Sequence, residues 1–99
     1  MPEQGRLQVD ALERGDPGGG ALVVRCIGGV VTAGDRLRPD SGGRADRGFV
    51  LRRIEKYPGV FWDALTPPHA ARVELAGADP RALRRGDVLV VIGAASGPG

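Results

Sequence analysis

Long apolar runs are missing from this sequence. No stretch approaches the roughly 20 residues that a membrane-crossing helix needs. The opening Met1-Pro2-Glu3-Gln4-Gly5 has none of the apolar character of an export signal. Cysteine is nearly absent as well. Cys26 stands alone, so no intramolecular disulfide can form, and the expected setting is the cytoplasm, with no membrane partner. Aromatic residues are scarce, one Trp, one Tyr and two Phe, which leaves any core to Val, Leu, Ile and Ala. One-sided charge is also lacking: 14 cationic residues face 12 acidic ones, for a net charge of +2. That balance is unlike the basic excess of a dedicated nucleic-acid binder. All but one of the cations are Arg, the exception being Lys56. Arg suits phosphate and stacked contacts, yet the joint abundance of Arg, Ala, Gly and Pro is equally the mark of GC-rich coding.

What the chain does have is 17 Gly and 8 Pro in 99 residues. This is the composition of short strands joined by many turns, in one domain with one modest core. The domain is expected over residues 1–93, followed by a disordered tail over 94–99. Leu7, Val9 and Ala11 alternate with polar residues and predict an opening strand. Glu13 to Gly20, with its successive glycines, predicts a flexible connection and a candidate contact loop. Leu22, Val24 and Cys26 form the uncharged face of a second strand, which makes Cys26 a small buried hydrophobe rather than a nucleophile. Gly28-Gly29 predicts a tight turn of the kind hairpins use. A third strand begins near Leu37 and ends at Pro39. In the fourth, Phe49 to Lys56, Ile54 falls out of phase with Phe49 and Leu51, and a bulge at Arg52-Arg53 would restore it. Ala71, Val73 and Leu75 point inward from a fifth strand, Leu83 packs beneath, and Val88 to Ile92 is the last. Two Gly-Asp pairs, Gly34-Asp35 and Gly86-Asp87, stand where the chain corners into an apolar strand.

No catalytic constellation is visible. His69 has no second metal-ligand candidate nearby and no Ser/Asp/His set accompanies it, so it is expected on a surface loop. Asp40 to Gly48 is glycine-rich and carries Arg44 and Arg47, but no helix opens there and no Gly-Lys-Ser/Thr follows, so it is not a P-loop. The bulged fourth strand would leave Arg52, Arg53 and Lys56 clustered outside, as a solvated face or as a ligand patch. Tyr57 to Asp63 holds three of the aromatics. Part of it is expected to cap one end of the core; an exposed Tyr57 or Trp62 beside the arginines would instead form a stacking platform.

Taken together, Gly-x-Val-Val-x-Ala-Gly-Asp-x-Leu at Gly29 to Leu37, Val50 to Ile54, Ala71 to Gly77, and Leu83 to Leu89 resemble domain two of the translational GTPases, of which elongation factor Tu is the archetype. The likeness spans roughly residues 6 to 92. It implies an all-β fold, a closed antiparallel β-barrel of six strands. The chain contains neither a P-loop nor a guanine-specificity motif, so GTP hydrolysis is not expected of it. The family's glycine-containing loop before the fifth strand reads Leu65-Thr66-Pro67-Pro68-His69-Ala70 here, with Pro68 in the glycine's place. Proline has no N–H and cannot copy a glycine's close backbone approach, which argues against capturing aminoacyl-tRNA in the family's manner.

The function expected is a non-enzymatic, stand-alone binding module for RNA or ribosomal components, without cofactor or metal. Its RNA-binding candidates are Arg52, Arg53, Lys56, Tyr57 and Trp62, with Arg84-Arg85 as further charge. The alternative is a protein–protein interaction or structural module without nucleic-acid binding, for which the balanced charge and the Pro67-Pro68 loop speak. The sequence sets no oligomeric state.

Overall fold

Alternating apolar residues become strands throughout. The computed structural model describes residues 4–40 and 48–94, and the side chain of Ala94 is not among what it describes. These residues form β1 (Arg6–Asp16), β2 (Gly19–Gly28), β3 (Val31–Thr32), β4 (Asp35–Pro39), β5 (Phe49–Tyr57), β6 (Val60–Trp62), β7 (Ala64–Leu65), β8 (Ala70–Ala76) and β9 (Val88–Ala94), with a short 3-10 turn at Pro80–Ala82. Hydrogen bonds run in the order β4-β9-β1-β2-β8-β5-β6, and β4 also pairs with β5. That last pairing closes an antiparallel six-stranded barrel of β4, β9, β1, β2, β8 and β5, the all-β fold expected. On the edge away from β8, β5 is shared by two neighbours: Phe49 and Val50 pair with β4, and Ile54, Glu55 and Tyr57 pair with β6. β3 and β7 make a separate two-residue ladder. Of the expected tail over 94–99, Ala94 instead ends β9, and residues 95–99, like 41–47 of the Asp40 to Gly48 loop, lie outside the described residues.

The inward phases are those the alternation predicts. Leu22, Val24 and Cys26 on β2 and Ala71, Val73 and Leu75 on β8 are all buried, as are Leu37, Leu83 and Leu89. On β5 the register against β8 slips by one residue between Leu51 and Arg53. This is the expected bulge, and it keeps both Leu51 and Ile54 in the core. Three local expectations need correcting. Ala11 is exposed, because a slip between Val9 and Ala11 turns it outward opposite Val23. Gly29 takes a left-handed φ of 57°, but the chain beyond it pairs with β7, not back onto β2. Residues 13–20 are not a flexible connection. β1 and β2 run to Asp16 and Gly19, leaving only Pro17-Gly18 between them, and Asp16 Oδ1 accepts the N–H groups of Gly18 at 2.8 Å and Gly19 at 3.1 Å. Gly20 lies opposite Gly15 on a strand pair packed by the buried ring of Pro80, so those glycines are dictated by close approach.

The two Gly-Asp corners are built alike. Gly34 has φ 99° and Gly86 has φ 94°. Asp35 Oδ2 accepts the N–H of Thr32 at 2.8 Å, and Asp87 Oδ2 accepts that of Arg84 at 2.9 Å. Each glycine N–H then donates across the barrel wall, Gly34 to the carbonyl of Leu51 at 2.7 Å and Gly86 to that of Val9 at 2.8 Å. A Cβ on Gly86 would meet nothing within 4 Å, so the requirement there is conformational. Gly86→Val is expected to lower stability by about 1–2 kcal/mol, the cost of a left-handed β-branched residue. An unchanged denaturant midpoint would remove the argument.

Candidate functional site

The proposed binding residues lie on and beside β5, whose bulge decides where each one points. Arg53 follows Leu51 on the outer face. Phe61 of β6 stands opposite Glu55, one rung away, and the Arg53 guanidinium carbon lies 4.8 Å from the Phe61 ring centroid. This is a cation–π contact on a ring that is 51% exposed. Arg53 also reaches within 3.9 Å of Glu74.

Arg52 is the extra residue of the bulge. It lines an open cleft of about 380 Å³ with Arg14, Gly18 to Gly20 and Glu74. Lys56 shares the phase of Ile54 and leaves the outer face. Its half-buried side chain donates to the Ala70 carbonyl at 2.8 Å, with Nζ 5.4 Å from the Tyr57 ring and 5.5 Å from the Trp62 ring. Arg52, Arg53 and Lys56 therefore do not form one external cluster. A bulge that rescues Ile54 also splits its neighbours among a cleft, a ring and the barrel's end.

The aromatics divide in the same way. Trp62 is half-buried, packs against the core and meets His69 edge-on, with centroids 5.6 Å apart; it is a cap. Tyr57 is 58% exposed and belongs to a hairpin tip with exposed Pro58, Val60 and Phe61. Gly59 turns that tip with φ 79°, and its N–H donates to Glu55 Oε2 at 2.9 Å. Below the tip is a second open cleft, about 350 Å³, lined by Val23, Glu55, Lys56, Tyr57, Pro58 and Arg72 among others. Phe61 is the functional candidate that sequence reasoning missed. Its signal was the Pro58-Gly59 turn, which folds Phe61 back beside Glu55 and hence beside Arg53.

Charge on this side is largely matched. Arg72 bridges Glu13 and Glu55 across the outer face. Arg85 lies 3.7 Å from Asp10, next to β1 and two strands removed from β5, so it does not join Arg52 and Arg53. These partners range from partly to largely exposed, and such pairs contribute about 0–1 kcal/mol each. The Asp79 carboxyl is held below its usual range by side-chain hydrogen bonds from Arg81 and by the Arg81 N–H, which it accepts at the start of the 3-10 turn. His69 is exposed, as expected. Among the described residues, no three His, Cys, Asp or Glu side chains are grouped to hold a metal ion. Among the described residues, no helix is long and apolar enough to cross a membrane. No protein-family model matches the chain, and no curated protein matches it either.

Proposed function

We propose that this chain is a non-enzymatic binding module on a translation-factor-like barrel, of the kind found as domain two of elongation factor Tu, and that its ligand is RNA or a ribonucleoprotein in the cytoplasm. The observation that carries the reading is the β5–β6 hairpin. It presents two half-exposed rings, Tyr57 and Phe61, with Arg53 stacked on one and Lys56 near the other. Unpaired bases stack on such rings and on guanidinium planes, while cations take the phosphates. The twin Gly-Asp corners support the translation-factor likeness, since both recurrences of that motif make the same turn.

The second reading is a protein-interaction module. It is favoured by the apolar tip of Tyr57, Val60 and Phe61 and by the matched charges of Arg72, Glu13 and Glu55 on the neighbouring strands.

Fluorescence anisotropy with single-stranded RNA decides between them. Phe61→Ala and Tyr57→Ala are each expected to weaken binding by about 1–3 kcal/mol with little change in salt dependence. Arg53→Ala is expected to flatten the salt slope by about one phosphate contact. Binding indifferent to all three, or none at low salt, would leave the protein-interaction reading in front.

A further inference from the structure

Among the described residues, Arg36 and Arg38 on β4, away from the β5–β6 hairpin, are exposed arginines without an ion pair, as are Arg14, Arg52 and Arg84. β4 reads Asp35-Arg36-Leu37-Arg38-Pro39. Leu37 is fully buried, so Arg36 and Arg38 both face out, and both are exposed. Arg38 pairs with Val90 of β9, and Val90 pairs on its other side with Arg6 of β1. Val90 thus faces outward between two arginines, yet it is only 5% exposed. Arg6 lies low enough beside it that its Nε is buried, while its terminal nitrogen meets Asp40 at 3.0 Å. Arg36 stands opposite Gly93, and Ile92, in the bulge between these rungs, is 45% exposed.

The contrast with the opposite wall is in the partners. There, Arg72 and Arg53 each have a carboxylate within reach, although Arg52 has no ion pair. On β4, neither Arg36 nor Arg38 has an ion pair or a side-chain hydrogen bond among the described residues. The acids that flank them in the chain are engaged elsewhere, Asp35 on the Thr32 N–H and Asp40 on Arg6. Two guanidinium groups are therefore held by a rigid strand with their donors unspent.

We infer that the outer face of β4, with Arg36 and Arg38 as its contacts and Arg6 beside them, is a binding surface for the phosphate backbone of an RNA strand. This rests on the RNA reading of the chain and adds to it a second face, one that positions the strand without reading its bases. The geometry suits a linear polyanion. Alternate residues of a strand are about 6.6 Å apart, a spacing comparable to that of neighbouring phosphates, and each guanidinium can take a phosphate with two parallel N–H donors. A lipid surface is a poorer fit. Recognition of anionic headgroups takes a cluster of about four to eight cations, and the face around Val90 brings together Arg36, Arg38 and Arg6, the last already paired.

The test compares the intact chain with Arg36→Gln/Arg38→Gln, using anisotropy on uridine and adenosine homo-oligomers across a salt series. Both positions are exposed, so the fold should survive, and circular dichroism checks it. The expected result is binding about tenfold weaker at low salt and a salt slope shallower by about 1.4, two single-strand phosphate contacts. The loss should be equal for the two oligomers, and Arg36→Lys/Arg38→Lys should restore the slope. An unchanged slope in the Gln variant, with binding still sensitive to Phe61→Ala, would overturn this inference and leave the hairpin site standing. No RNA binding by the unaltered chain would overturn the RNA reading and this face with it. Loss of binding to phosphatidylserine vesicles, with the RNA slope intact, would reassign the face to lipid.

Discussion

Gly20→Ala is expected to remove at least about 3 kcal/mol of stability, at the upper end of what overpacking costs, and to lower the melting temperature by roughly 12–24 °C for a domain of this size. A Cβ at this position would sit 2.2 Å from the carbonyl oxygen of Arg14, 2.8 Å from Gly15 Cα and 2.8 Å from Pro80 Cγ. None of these is the end of a flexible side chain. The first two are backbone of the paired strand, and the third belongs to a buried ring, so relief requires β1 and β2 to separate. Gly18→Ala, two residues away, is the control. Its Cβ would make ordinary contact at 3.5 Å with Asp16 Oδ1, and the change should stay within about 0.5 kcal/mol. Equal melting temperatures for the two variants would mean that the hairpin is not packed as described.

The second large effect tests the bulge. Ile54→Ala is expected to cost about 2–5 kcal/mol, the range for truncating a buried aliphatic side chain, since Ile54 is 1% exposed and belongs to the core with Leu51 and Val73. Arg52→Ala and Arg53→Ala should each cost less than about 1 kcal/mol, because both side chains are exposed. A strand without the bulge would turn Arg53 inward and Ile54 outward, and the order of the effects would reverse. Urea denaturation of the three variants separates the two arrangements.

Much of the barrel was legible because its strands have one wet face. On β8, Ala71, Val73 and Leu75 alternate with Arg72 and Glu74, and no other phase buries so little charge. The β5 bulge was legible for the same reason, as the only way to put both Leu51 and Ile54 inside. The β1–β2 hairpin was not. Its glycines read as breakers because the atoms that require them lie on the paired strand and, some sixty residues later in the chain, on β8 and Pro80, and local sequence does not announce distant neighbours.

The binding residues were legible as types and not as a set. Charge and rings around β5 are visible in the letters, but the bulge sends Arg52, Arg53 and Lys56 in three directions. Arg36 and Arg38 could be read as a strand's outer pair from the buried Leu37 between them. That they lack carboxylate partners depends on their neighbours being Val90 and Gly93, which only the strand order reveals.

That strand order has a bearing on how the chain reaches its native state. β9, the last strand among the described residues, is inserted between β1 and β4, both from the first 40 residues. Without residues 88–94, β1 can still pair with β2 and β4 with β5, but the wall between β1 and β4 is open and both keep an unpaired edge. Such edges are templates for association with other chains, and pairings this distant in sequence form slowly. A chain lacking residues 88–94 would therefore hold an open, adhesive sheet where the barrel has a closed wall, and would be prone to associate with other chains.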